Sequence, residues 1–457
     1  MRASFIHTAD NHLGYEQYGV KERFNDFAHA FLAVIEDAIA RRADFVVIAG
    51  DLFNKRAIDA LTMIQAQEAL QRLKAAGIPA IAIEGNHDRS YYRDGVSWLQ
   101  FLGWEGLLYL LNPTVREGNL VLGSWDQQTM RGAYVDLLGG AIRVYGLPWY
   151  GAGTARMMEQ LAHELARTRA EEDAAGVQYR VLLLHSGVEG QLPQLHGLPT
   201  RQQFEPLHGL IDYVALGHVH KPYEIDDWLY NPGSTETWGA EESAWDRGYY
   251  YVQVDTKAPD GAPRHHAQHL INPRRPFARL ACRVDGLPDP VALYERFERF
   301  CRQHAQEFHA TSEPAARGMA PVVDVALTGI LGFDASAVER SRLEECVQRH
   351  FQPLVVRIHD TTRDTEYDPD TGDEGDGRDR TTWHQLELRI FQDLIARDAR
   401  YLPEAGRWAT TLAELKQMAL TGEEPATIAT KLREARERLL MGQARPTEHA
   451  PRKEEEA

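Results

Sequence analysis

The sequence predicts a layered α/β domain over residues 1–272, then a small α+β domain over 278–359 and a helical C-terminal segment. Three observations point there. Short runs rich in Val, Ile, Leu and Ala recur through the first half and are nearly continuous, as in strands covered on both faces. Longer stretches between them carry apolar residues at helical spacing. Polar, chemistry-bearing residues follow the runs, at the carboxyl ends where open α/β sheets bind ligands.

The strand-like runs are Ser4–His7, Phe45–Ala49, Ala80–Ile83, Ile142–Tyr145, Val181–Leu184 and Tyr213–Leu216. Between the first two, Phe27, Phe31, Val34, Ile35, Ala38 and Ile39 form the stripe of a helix over Asp26–Arg42. A second helix over Ala60–Ala76 is stopped by Gly77 and Pro79. Strands at Gly248–Val254 and near His266–Ile271 close the domain, and Pro273 and Pro276 mark a linker. The small domain holds strand-like Val322–Leu327 and Leu354–Ile358, with helices at Pro290–Gln306 and Ala335–Arg349.

Residues 360–380, rich in Asp, Gly and Thr, are expected to form an acidic disordered linker. Asp368-Pro369-Asp370 suggests a calcium loop, but Gly372 and Asp373 fall where an oxygen ligand and the turn glycine belong. Over 381–445 three helical stripes follow. They are Leu386, Ile390, Phe391, Leu394 and Ile395; then Leu412, Leu415, Met418 and Ala419; then Ile428, Leu432, Ala435 and Leu439. Residues 446–457 are expected to be a frayed tail.

Composition bounds the function. The chain has 457 residues, 43% of them apolar and 26% charged, which suits a soluble globular protein with more than one core. No apolar run approaches membrane length, so no membrane partner is expected. Met1–His7 carries no cleavable signal pattern, and a cytoplasmic location is the expectation. Cys282, Cys301 and Cys346 are too few and too far apart for a disulfide scaffold or a thiolate metal site, so nitrogen and oxygen ligands are expected. The net charge of −17 argues weakly against nucleic acid. Much of the acid, however, lies in 360–379 and Glu454–Glu456, and bound cations would reverse the sign around clustered carboxylates.

Five runs end in polar residues. They lead into Asp10-Asn11-His12, Gly50-Asp51, Gly85-Asn86-His87-Asp88, His185, and Gly217-His218-Val219-His220. Carboxylates mixed with imidazoles suit Mn, Fe or Zn held as a pair with a bridging carboxylate. In an extended strand residues i and i+2 share a face, which would let Asp-x-His and His-x-His reach one ion or two adjacent ones. Gly85-Asn86-His87-Asp88 is moderately specific, since a turn does not need all three polar residues, but the other motifs alone are weak: Asp51 could be a turn carboxylate, and His185 a packed core histidine. Their joint occurrence, each after its own strand, carries the inference. His29, His196, His208, His265 and His266 lack such placement and read as surface or packing residues.

These motifs in this order resemble the calcineurin-like metallophosphoesterase superfamily. The segments 12–18 (HLGYEQY), 83–89 (IEGNHDR) and 231–238 (NPGSTETW) are similar to those of SbcD-type double-strand-break repair nucleases. The resemblance covers roughly residues 1–360. It implies a β-sandwich flanked by helices, a domain at 278–359 that caps the nuclease over DNA, and two divalent ions. Manganese is the first choice, with zinc, iron or magnesium as alternatives. Asp10, His12 and His220 would hold one ion and Asn86, His185 and His218 the other, with Asp51 bridging. His87 would be the catalytic histidine, with Asp88 orienting it. One departure stands out. Where many members carry a second catalytic histidine, this chain has Asn54, which cannot supply a proton.

The implied reaction is metal-dependent exonuclease or endonuclease cleavage of a DNA phosphodiester, the two ions lowering the pKa of water and stabilising attacking and leaving oxygens. Rival readings are a phosphatase or phosphodiesterase for a non-DNA substrate and a catalytically weak DNA-binding scaffold. The resemblance also implies a homodimer, for which Leu61, Ile64, Leu70, Val96, Leu99 and Leu102 are the apolar candidates, and docking of the C-terminal helices on an SMC-like coiled-coil ATPase.

Overall fold

The structure, a computed structural model, describes residues 1–90, 95–259, 262–311, 319–364, 379–396, 401–420 and 423–440. It divides into two units, Met1–Asp368 and Pro369–Ala457.

The first unit is built on two six-stranded mixed sheets. One runs in the order His265–Ile271, Gly248–Asp255, Arg2–Thr8, Phe45–Ile48, Ala80–Ala82, Tyr109–Leu110; the other runs Tyr223–Ile225, Leu229–Asn231, Tyr213–Leu216, Tyr179–Leu184, Ile142–Leu147, Tyr134–Leu137. The central pairs of both are parallel and the outer ones mostly antiparallel.

Alternation along each strand explains why the runs are apolar throughout. Phe5, Phe45, Val47, Val181 and Leu183 fill one core between the sheets. Their neighbours Ile6, Val46 and Ile48 face helices Lys21–Arg41, Ala60–Ala75 and Trp98–Trp104, while Leu182 and Leu184 face helix Thr154–Ala174. The result is a four-layer sandwich flanked by helices. Both faces of each central strand are dry, so a side-chain period of two leaves no polar trace in the sequence.

Sequence reading missed several elements. Helix Thr154–Ala174 escaped it because only Met157, Met158, Leu161, Ala162 and Leu165 are its buried apolar residues, amid charged helix formers. The edge strands Tyr134–Leu137 and Tyr223–Ile225 and the inner strand Leu229–Asn231 are three or four residues long, too short for periodicity to register. Leu70, Leu99 and Leu102 are wholly buried in the domain's own core, whereas Leu61, Ile64 and Val96 are exposed.

The smaller core lies in a parallel three-stranded sheet, Phe277–Arg283, Val322–Thr328 and Val355–Asp360, covered by helices Pro290–Thr311 and Arg340–Phe351. Its first strand begins where the sequence suggests a linker. The residues between Pro273 and Pro276 are pinned: Arg275 donates to both carboxylate oxygens of Asp26 at 2.6 and 3.0 Å and to the Ala320 carbonyl at 2.7 Å. The helix expected from Ala335 starts at Arg340, after a single turn over Ala335–Ala337.

The stretch expected as an acidic linker meets regular structure at both ends. Asp360 ends a strand, Arg363–Asp364 pairs with Ile330–Leu331, and a helix begins at Asp379; residues 365–378 lie outside the described residues, as does the tail. The second unit contains helices Asp379–Ala396, Ala405–Leu420 and Pro425–Leu440, with a small core of Trp408, Ala435 and Leu439. No helix among the described residues is long and apolar enough to cross a membrane.

Candidate metal centre

The carboxyl ends of strands Arg2–Thr8, Phe45–Ile48, Ala80–Ala82, Tyr179–Leu184 and Tyr213–Leu216 lead into one cluster. The backbone there is not extended. Asp10, His12, Asp51 and His218 have φ of 51°, 48°, 51° and 80°, in the left-handed region that non-glycine residues avoid. The strand-period explanation of Asp-x-His and His-x-His is therefore corrected. These residues converge because their loops coil, not because they share a face of a strand.

The coil is fixed by backbone pairing between neighbouring loops. Asp10 N–H donates to the Gly50 carbonyl at 3.1 Å, Asn11 and His12 N–H to that of Asp51 at 2.9 and 3.1 Å, and Leu13 N–H to that of Leu52 at 2.8 Å. Gly50, at φ 93°, has the His185 imidazole where a Cβ would stand, and Gly85 has the Asp51 carboxylate there. Both glycines are needed for close approach, and Gly50 also for its left-handed turn.

Ligand atoms of Asp10, His12 and His220 lie within 4.8 Å of one another, as do those of Asp51, His185 and His218. Asp51 also groups with His12 and His87 within the same limit, so it stands between the two triads. The Asn86 side-chain oxygen is 3.2 Å from His185 Nε2, which is 3.2 Å from Asp51 Oδ2. All seven residues expected as ligands are thus brought together.

A divalent ion fits these donors. His12 Nε2 faces His220 Nε2 at 3.0 Å, and His12 Nδ1 is buried with no partner. Two imidazole lone pairs aimed at each other repel unless a proton or a cation lies between them. His185 Nδ1 must carry a proton, because it meets the Ala49 carbonyl at 2.7 Å; once the ring is neutral, its Nε2 lone pair faces the cluster.

The electrostatics show the same crowding. Burial pushes the Asp10 carboxyl up to about 6 and the His218 imidazole down to about 3, and holds His12 well below its ordinary value. Burial also opposes ionisation of Asp51 and His185, but their mutual attraction wins. Asp51 stays well below the usual carboxylate range, and His185 is raised to about 9. A dication would supply the positive charge that these donors now borrow from protons.

His87 sits beside the cluster, its backbone N–H donating to Asp51 Oδ1 at 2.9 Å and its Nδ1 meeting the Asn54 carbonyl at 2.5 Å. The expected role of Asp88 is corrected. Its carboxylate accepts from the backbone N–H groups of Leu52, Phe53 and Gly85 at 3.2, 2.9 and 3.1 Å, and so ties two loops together instead of contacting the His87 ring. The Asn54 side-chain oxygen accepts from Trp238 Nε1 at 3.2 Å, and Trp238 stacks on Tyr15 with ring centres 5.3 Å apart.

Sequence reasoning missed the outer support. His220 Nδ1 meets Glu242 Oε1 at 2.9 Å, and Arg247, fully buried, contacts Glu242 Oε2 at 3.1 Å and the His220 carbonyl at 2.9 Å. Asn231 donates to the carbonyls of Val219 and Lys221 at 2.6 and 2.8 Å, holding the His218–His220 loop. No local spacing marks Glu242, which follows another glutamate in an acidic pair. Of the histidines set aside, His265 is a packing residue bridging the hydroxyls of Tyr179 and Tyr230 at 2.7 and 3.1 Å.

Residues 3–222 match the family model of calcineurin-like phosphoesterases. This stretch is similar to calcineurin-like phosphoesterases. The chain is similar to proteins named DNA double-strand break repair protein Mre11. The relative from Archaeoglobus fulgidus is 33% identical over 252 residues, 52% of each chain. That from Haloferax volcanii is 44% identical over 264 residues, 56% of this chain and 50% of the other. That from Methanosarcina acetivorans is 27% identical over 307 residues, 66% of this chain and 43% of the other. The chain spans about half the length of these curated relatives.

The outer support of the candidate metal centre yields a direct expectation. Glu242→Gln removes the charge that orients His220, and loss of such a partner weakens metal binding by about 10–100-fold. Equilibrium dialysis of the variant against Mn2+ should show this for one ion per chain. Unchanged affinity for both would show that Glu242 does not support a ligand.

Proposed function

We propose that the chain is a metal-dependent DNA nuclease with a two-ion centre. The observation that carries the reading is the position of Asp51, grouped with His185 and His218 on one side and His12 on the other. Asp10, His12 and His220 would hold one ion and Asn86, His185 and His218 the second, with Asp51 shared. The oxygen and nitrogen donors suit manganese, with zinc, iron or magnesium as alternatives. When bound, two such ions supply Lewis acidity that activates water and neutralises charge on the phosphoryl oxygens.

The chain's own residues provide position and proton handling. The Asn54 carbonyl fixes the His87 tautomer with Nδ1 protonated, so Nε2 is free to contact the phosphate or, when protonated, to give its proton to the leaving oxygen. Asp88 holds the loops that carry Asp51 and His87 at a fixed separation. Lys55, Arg56 and Arg89 are exposed beside these loops in sequence, a local cationic rim suited to a polyanion despite the net charge of −17. DNA as substrate is further supported by the printed names of the relatives.

Partners follow from the same likeness. Exposed Leu61, Ile64 and Val96, together with exposed Trp98, would form the homodimer contact. In the second unit Ile390, Leu394, Leu420 and Leu432 are exposed, and they would dock on an SMC-like coiled-coil ATPase. The domain at 278–359 would cap the bound DNA.

Two outcomes are expected. On end-labelled duplex and single-stranded DNA with Mn2+, His87→Ala should abolish cleavage while leaving metal content near that of the parent, whereas Asp51→Ala should lose cleavage and at least one ion. Turnover of a small phosphomonoester with none of DNA would contradict the nuclease reading. A chain ending at Asp364 should retain Mn-dependent cleavage and lose ATPase binding, measured by co-sedimentation. Undiminished binding would assign the C-terminal helices another role.

A further inference from the structure

The spacing of the three cysteines argues against a thiolate metal site, but the fold brings Cys346 to a seam where two other donors wait. Cys346 and His350 lie four residues apart, one turn, on helix Arg340–Phe351. Glu298 faces them from helix Pro290–Thr311. Cys346 Sγ donates to Glu298 Oε2 at 3.2 Å, and His350 Nε2 meets Glu298 Oε1 at 2.7 Å. The three ligand atoms lie within 4.8 Å of one another.

The cluster is partly open to solvent. The His350 and Glu298 side chains are 17% and 28% exposed, so the cluster opens to solvent on one side while Cys346 backs it from the core. Arg349 Nη1 contacts Glu298 Oε2 at 3.1 Å, and Arg302 Nη2 lies 3.7 Å from Oε1. Both arginine side chains are more than half exposed, so swinging them into water costs little. Cys301 is fully buried, and the neighbouring Cys346 and burial push its thiol up.

From this juxtaposition we propose that Glu298, Cys346 and His350 form a third metal site, taking one zinc-class divalent ion that staples the two helices of the small domain. Thiolate, imidazole and carboxylate are the donor types such an ion selects. At bond lengths of about 2.0–2.3 Å, donors of one tetrahedron stand roughly 3–4 Å apart. The observed separations need only small side-chain movements to match this. Binding would release the Cys346 proton, and with three protein ligands the fourth position falls to water on the open side. The competing arrangement is a metal-free ion-pair cluster that joins the same helices.

Titration of the full-length, metal-stripped protein with Co2+ separates the two. A near-ultraviolet thiolate-to-cobalt charge-transfer band reports sulfur ligation, which no residue of the candidate metal centre can provide. The expected result is a band whose final amplitude corresponds to one thiolate-bound cobalt per chain, displaced by Zn2+ and of unchanged amplitude in Asp51→Ala. It should be lost in Cys346→Ala and in the milder, partly exposed His350→Gln, each with one fewer ion bound. Absence of the band in the parent protein, or its survival in Cys346→Ala, would overturn the site.

Discussion

Nε2 of His12 and Nε2 of His220 face each other at 3.0 Å, beside the buried carboxylate of Asp10. Without a proton or a cation between the two nitrogens such an arrangement is repulsive, its burial is costly, and much of the domain serves to enforce it. Two sheets bring their strand ends together. Loop-to-loop backbone bonds hold Asp10, His12 and Asp51 in left-handed conformations. Gly50 and Gly85 leave room for the His185 ring and the Asp51 carboxylate. The Glu242–Arg247 pair and the Ala49 carbonyl aim the rings from behind. Strain and desolvation concentrated at one place are what a site built for cations would show.

Residue 54, where the sequence resemblance implies a second histidine, looks different once the geometry is known. The His87 ring is held by the backbone carbonyl of residue 54, which any side chain would supply. Asparagine therefore leaves the orientation of His87 intact, and its own side chain anchors Trp238 beside Tyr15. The frame of the site thus does not depend on a histidine at residue 54.

Much of this was legible in the sequence, for physical reasons that also mark where legibility ends. Strands buried on both faces write themselves as continuous apolar runs, so Phe45–Ile48 and Tyr213–Leu216 stood out together with the polar residues that follow them. Glycine before a ligand, as at Gly50 and Gly85, signals close approach whichever way the chain turns. The left-handed turns at Asp10 and His12 were not legible, because nothing in Asp-x-His distinguishes a coiled loop from an extended strand. Glu242 and Arg247 meet His220 only through the tertiary fold. Asp88 was read as a partner of its neighbour His87, yet its oxygens are taken by three backbone N–H groups that no spacing reveals. The Cys346–Glu298–His350 cluster was hidden for a similar reason: two of its members share a helix turn, but the third comes from 48 residues earlier.

The central claim is that Asp51 joins two ion sites into one centre. Electron paramagnetic resonance during Mn2+ titration of the metal-stripped protein tests it most directly. The account predicts that the spectrum at two equivalents is that of a spin-coupled manganese pair, and that Asp51→Ala abolishes the coupling. An isolated-ion spectrum that only grows in intensity through the second equivalent would mean that the two triads do not share a bridging carboxylate.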